Sequence, residues 1–184
     1  MNGQTHRAIG FLTGAVYSYY SHSPIFDTLM LSITSLSVAT APDWDTVDEW
    51  STFLFNPTGT IIYSVLQKRV KHRGFTHSLL GLMLWNILFL VWGIILFSIF
   101  PTSFMKHTLQ VMLMGNILGY ISHIIADMFT VKGVALFYPV EDRIKFPLTL
   151  SYNSRVETVI FLISLGIGVL FVIRATLNAK GIFL

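Results

Sequence analysis

The chain has 184 residues, 53% hydrophobic and 11% charged, with a mean hydropathy of +0.66. An ordinary soluble domain carries about 25% charged residues, so the charges are too few to cover a soluble globule of this size, and the surplus apolar surface belongs against lipid. Cysteine is absent and the net charge is +3. The first fact excludes disulfides, thiolate metal ligands and a cysteine nucleophile. The second is explained by basic cytoplasmic loops of a membrane protein, and no nucleic-acid partner is expected.

Long apolar runs predict the elements in chain order. The first covers Ala8 to Tyr20, extending to Thr5 if its ends lie at the interface. Arg7 before an apolar run resembles a signal peptide, but the bulky Tyr17-Ser18-Tyr19-Tyr20 offers no small-residue cleavage site, so a retained helix is expected. The second run covers Ile25 to Ala41 and stops before Pro42. Thr60 to Leu66 is weaker and reads as a short interfacial helix. The third run covers Phe75 to Phe100, the fourth Leu109 to Phe129, the fifth Val156 to Leu177. Each is long enough, or nearly so, for a ~30 Å hydrocarbon core at about 1.5 Å per residue. No linker divides the chain, so residues 1–184 read as one domain. The predicted class is all-α, a polytopic membrane bundle with about five spans.

Five crossings put the N-terminus, Pro42 to Gly74 and Thr130 to Arg155 on one side. That side carries Arg7, Lys68, Arg69, Lys71, Arg73, Lys132, Arg143, Lys145 and Arg155, against Lys106, Arg174 and Lys180 opposite. The imbalance places it in the cytoplasm by the positive-inside rule.

The same alternation gathers metal-binding side chains on that side. His6 starts span one; Asp43 and Asp45 follow span two; His72 and His77 open span three; His123 and Asp127 end span four. Starts of odd spans and ends of even spans share a face, so the seven converge there as candidate ligands. His123 and Asp127 are four residues apart, on one helix face and able to share a cation. That stripe continues through Gly119 and Gly115, and span one repeats it with His6, Gly10 and Gly14. Small residues at this spacing let membrane helices approach closely, which aims the ligands into the bundle. Gln4 to Gly10 also resembles Phe75 to Gly81, a faint internal repeat. His22 and His107 fall on the other face and read as solvated polar residues; Asp48 and Glu49 read as a solvated loop. Imidazole and carboxylate ligands without thiolate suit zinc, with manganese or iron as alternatives. The candidate count allows one to three ions. Arg73 and Lys132 are candidate anion binders, and Asp45 a candidate general base.

The run His72-Arg73-Gly74-Phe75-Thr76-His77-Ser78, together with Pro42-Asp43-Trp44-Asp45, Gly119-Tyr120-Ile121-Ser122-His123, Asp127, and Lys132-Gly133-Val134 through Phe137-Tyr138-Pro139, resembles the bacterial YdjM-like family of membrane-bound metal-dependent hydrolases. The resemblance covers roughly His6 to Pro139. One departure is Ala41, where Leu is expected before Pro-Asp. The His-x-x-x-Asp helix is more loosely similar to zinc-dependent phospholipase C and related zinc nucleases.

The resemblance implies a hydrolase of the bacterial inner membrane with its site facing the cytoplasm. The expected substrate is a phosphoester in a lipid or lipid-linked molecule, attacked by metal-activated water. The alternative is a non-catalytic membrane protein with a structural or sensing metal. Transport is disfavoured because Val159 to Val172 is almost wholly apolar, and a His-Glu-x-x-His protease motif is missing. Substrate, metal and oligomeric state are not encoded in any motif.

Overall fold

A computed structural model describes residues 1–45, 73–151 and 154–179. The segment 46–72 lies outside the described residues; it contains His72, Asp48, Glu49 and the expected interfacial helix Thr60 to Leu66. The Asp45 side chain is outside them too. The described chain forms five α-helices: α1 (Gly3–Tyr20), α2 (Ile25–Val38), α3 (Leu79–Ile99), α4 (Ser103–Met128) and α5 (Arg155–Ala179). Two 3-10 turns, Ala41–Asp45 and Phe75–His77, complete the elements. Isolated bridges between Thr130 and Leu150 and between Val134 and Ile144 are the β-structure among the described residues.

Local chemistry sets the helix ends. The Asn2 side chain caps α1 by accepting from the Thr5 backbone N–H at 2.8 Å. Pro42 cannot continue α2, which ends at Val38, three residues before the end of the apolar run. The chain then tightens into the Ala41–Asp45 turn, with Asp43 N–H donating to Thr40 at 3.1 Å. Ser78 caps α3 through the Gly81 N–H at 3.1 Å, so the helix starts at Leu79 and leaves His77 in the turn before it. Thr102 caps α4, which begins six residues before the apolar run because Lys106 and His107 are polar yet helical.

Among the described residues, four stretches are long and apolar enough to cross a membrane: Ile25–Asp43, Leu79–Ile99, Ser103–Met128 and Arg155–Asn178. About five spans were expected, and α1 is the difference. Its 18 residues reach about 27 Å at 1.5 Å per residue, but its composition is too polar. Packing explains this: α1 lies against α2, α4 and α5, and only Gln4, Tyr17 and Tyr20 on it are exposed. A helix surrounded by protein has no need of an apolar exterior.

Contacts along the helices give their directions. On α1, Gly10 faces Ser35 and Ala39 of α2, and Gly14 faces Leu31, so the pair is antiparallel. On α4, Gly115 faces Thr34 and Gly119 faces Ser35, so α2 and α4 are parallel. Trp85 donates to Asn116 Oδ1 at 2.8 Å, and Gly93 lies opposite Leu109, making α3 antiparallel to α4. Glu157 accepts from the Asn2 N–H, and Gly168 meets Phe11, so α5 runs with α1. The starts of α1, α3 and α5 therefore share one end of the bundle with the ends of α2 and α4. At the opposite end His107 pairs with Asp27 at 2.8 Å, joining the starts of α4 and α2.

Gly10 and Gly119 press on the same Ser35 backbone from two sides, and a Cβ on Gly119 would collide with the Ser35 carbonyl oxygen. Gly119→Ala should therefore cost about 1–3 kcal/mol by overpacking. Gly166→Ala meets nothing within 4 Å and should change stability by no more than about 1 kcal/mol, in the stabilising direction. Thermal unfolding of the two variants in detergent checks the contrast.

Candidate metal centre

Four side chains from three elements meet at the shared end. Asp43 comes from the turn after α2, His77 from the turn before α3, and His123 and Asp127 from the last two turns of α4. All four are buried, and one ligand atom from each lies within 4.8 Å of every other. His77 Nε2 is 3.1 Å from His123 Nε2, 3.2 Å from Asp43 Oδ1 and 3.4 Å from Asp127 Oδ2. His123 Nε2 is 3.7 Å from both Asp43 Oδ1 and Asp127 Oδ2.

These spacings suit a small cation. Ligands ~2.0–2.1 Å from a tetrahedral zinc stand roughly 3.3–3.4 Å apart, inside the observed spread. Two imidazole nitrogens facing each other need a shared proton or an ion between them. Two carboxylates turned inward on the same point favour a cation. The four residues can therefore hold a metal ion.

The surroundings aim the ligands. His123 Nδ1–H donates to the Ala39 carbonyl at 2.7 Å. That carbonyl lies at the α2 C-terminus, where backbone acceptors lack helical partners. The bond leaves the Nε2 lone pair directed at the cluster, as second-shell bonds do for metal-ligating imidazoles. Thr76 Oγ1 is 2.9 Å from His77 Nδ1, and Tyr120 donates to the Thr76 carbonyl at 2.5 Å, fixing the turn that carries His77. Burial alone lowers the pKa of His77, but hydrogen bonding to the Asp127 and Asp43 carboxylates, with their charges, outweighs it and pushes it up to about 9.

The far oxygen of Asp127 has its own neighbours. Oδ1 is 3.1 Å from an Arg73 guanidinium nitrogen, 3.3 Å from the Met1 amino group and 3.4 Å from His6 Nε2. Arg73 also donates to Thr130 Oγ1 at 2.5 Å. It is buried with φ at 61°, a left-handed conformation unfavourable to a side chain with a Cβ.

Of the expected ligands, Asp43, His77, His123 and Asp127 form the cluster. His6 sits beside it, its ring stacked on His123 at 3.8 Å, and neither ring nitrogen has a hydrogen-bond partner among the described residues. His72 lies outside the described residues. Asp45 shares the turn of Asp43, its side chain undescribed. Arg73 joins through Asp127, whereas Lys132 is exposed on the segment after α4. Sequence reading missed Thr130, which anchors Arg73, and Glu157, which ties the start of α1 beside the site. A buried-facing acid at the head of an otherwise apolar run was the available signal for Glu157.

The model of the YdjM inner membrane protein family matches residues 1–184. This chain belongs to that family. It is 37% identical to Inner membrane protein YdjM of Escherichia coli over 82 residues, 42% of this chain and 35% of that protein. The Shigella flexneri YdjM matches to the same extent. The chain thus aligns with about a third of those relatives' length. Uncharacterized protein YvsG of Bacillus subtilis is 28% identical over 160 residues, 87% of each chain. No solved structure matches. The resemblance of the histidine and aspartate motifs to the YdjM family is borne out, and the chain is a membrane protein of that family.

The cluster predicts a metal-content result. Purified protein should carry a divalent ion, and His123→Ala or Asp127→Ala should lose it by elemental analysis. Because the His77 proton must leave before that nitrogen can ligate, affinity should rise with pH up to about 9 and binding should release protons. A titration of affinity against pH checks the sign.

Proposed function

We propose that this protein is a metal-dependent hydrolase acting on a phosphoester of a lipid or lipid-linked substrate, with zinc first among the candidate ions. The observation that carries the reading is the buried set of two imidazoles and two carboxylates at tetrahedral spacing, with a guanidinium against its edge. Its resemblance to the His-x-x-x-Asp helix of zinc-dependent phospholipase C supports the phosphoester class, as an analogy only.

A divalent ion held by Asp43, His77, His123 and Asp127 would polarise a phosphoryl oxygen and acidify a water at neutral pH. Arg73 binds Asp127 and Thr130, and its buried Nε lacks a partner among the described residues. Turned to a bound substrate oxygen, that N–H would supply a preorganised cation to stabilise charge that grows in the transition state. Asp45, two residues beyond Asp43, is proposed as the general base that takes the proton from water. His6, stacked on His123, keeps that ring oriented and accompanies Asp127 on its other side. Lys132 supplies positive charge from the exposed side.

Position supports the substrate class. The cluster sits where four candidate spans begin or end, so a headgroup phosphate could reach it without leaving the bilayer surface. The imbalance of Lys and Arg supports a cytoplasmic position for this end. A cytoplasmic reporter fused after residue 142 should be active and a periplasmic one inactive; the reverse moves the site to the other leaflet.

The full-length, metal-loaded protein should cleave at least one member of a panel of phospholipids and lipid-linked phosphates. Arg73→Lys should keep the metal while kcat falls on the order of 10²-fold, as for loss of one preorganised donor. Retention of stoichiometric metal with no cleavage of any panel member would favour the alternative, an ion that is structural or sensory.

A further inference from the structure

Residues 129–151 leave the end of α4 and fold back over the bundle end that carries the metal-binding cluster. Their inner face is part of the protein. Val134 packs with Ala41, Tyr120 and Ile124, and Thr130 holds Arg73. The fold-back is closed by paired hydrogen bonds between Val134 and Ile144 at 3.1 and 2.9 Å, and by Leu150 N–H donating to Phe129 at 2.7 Å.

The outer face carries large apolar side chains that the described residues leave exposed. Val131 is 59% exposed, Phe137 59%, Val140 54% and Leu148 74%. Large apolar residues grouped on a surface mark contact with another phase or molecule. The segment is tethered at both ends to candidate spans, Ser103–Met128 before it and Arg155–Asn178 after it, so it stays at the bundle end. The Leu79 N–H at the start of α3 donates to Leu136 at 3.0 Å. Leu79 and Leu80 are themselves exposed, which makes the apolar outer face continuous with the flank of a helix that faces lipid. Exposed Lys132, Arg143 and Lys145 are interspersed with the apolar side chains and outnumber the exposed acids of the segment, Glu141 and Asp142. Aromatic and aliphatic side chains mixed with cations suit the boundary between acyl chains and headgroups.

We propose that residues 129–151 form an interfacial platform seated in the headgroup layer. Val131, Phe137, Val140 and Leu148 reach the acyl boundary, and Lys132, Arg143 and Lys145 lie against anionic lipid phosphates. This goes beyond the hydrolase reading and stands without it. Through Thr130, the platform ties the depth of the bilayer surface to the position of Arg73.

The absence of native cysteine makes site-directed spin labelling direct. Phe137→Cys, Val140→Cys and Leu148→Cys would be labelled singly in the full chain, reconstituted in vesicles of phosphatidylethanolamine and phosphatidylglycerol. Collisional access to oxygen, which partitions into lipid, is compared with access to a water-soluble paramagnetic complex. The oxygen-to-complex ratio should exceed that of free label in buffer at all three positions and approach that of Leu88→Cys on the exposed flank of α3. Ratios equal to free label, or protection from both reagents as beneath a second copy of the chain, would overturn the proposal. The three positions report independently, so misfolding of one variant leaves the others to decide. The label at Leu148→Cys should sit deeper as phosphatidylglycerol replaces phosphatidylethanolamine; independence from the anionic lipid overturns the assignment of the three cations. Neither readout requires catalysis, so failure here is distinct from failure of the hydrolase reading.

Discussion

The contact on which the rest of the structure depends is the seating of Gly10 and Gly119 on the Ser35 backbone of α2. Two glycines from helices of opposite direction approach one stretch of main chain as closely as atoms allow. Lipid offers no hydrophobic force between helices, so such close packing carries much of their association. It also sets register. With Gly119 at Ser35, His123 one turn later reaches the Ala39 carbonyl at the end of α2. With Gly10 at Ser35, His6 one turn earlier stacks on His123. The metal-binding end is therefore an extension of the helix packing, and displacement of one helix would move a ligand.

Burial explains the composition of that end. Asp43 and Asp127 are carboxylates removed from water at the end of an apolar bundle, which is costly unless they are compensated. Arg73 and the Met1 amino group answer one oxygen of Asp127; the inward oxygens of both acids face His77 and His123. The second row is equally specific: Thr76 at His77, Ala39 at His123 and Thr130 at Arg73. Such supports limit side-chain freedom at an ion site, which matters more for geometry than another ligand would.

A different polar network serves α3. Trp85 donates to Asn116, Asn116 to Asn86, and Asn86 to the Leu82 carbonyl. Every group in that chain has its partner, so it locks α3 to α4 without leaving a polar atom stranded in an apolar setting. Otherwise α3 touches mainly α4 and presents its exposed residues outward. The bundle thus combines a polar trio of α1, α2 and α4 with two helices of more exposed flank, α5 packed along α1 and α3 along α4.

What the residues determined by themselves was the membrane class, the helices and the gathering of ligands. Apolar length marks α2 to α5, because a helix in lipid must be both long and apolar. Reversal of direction at each crossing puts Asp43, His77, His123 and Asp127 at one end, because connectivity alone dictates it. Spacing of four residues pairs His123 with Asp127 on one face. Only the tertiary structure decided which ligands share a position. His6 was legible as a ligand candidate, yet it lies against Asp127 and outside the four-residue set, because the angle at which α1 crosses α4 depends on glycine contacts distant in sequence. Composition likewise could not reveal that α1 is enclosed by protein. Nor could it place Arg73 against Asp127, since that contact joins side chains 54 positions apart whose meeting requires the packed bundle.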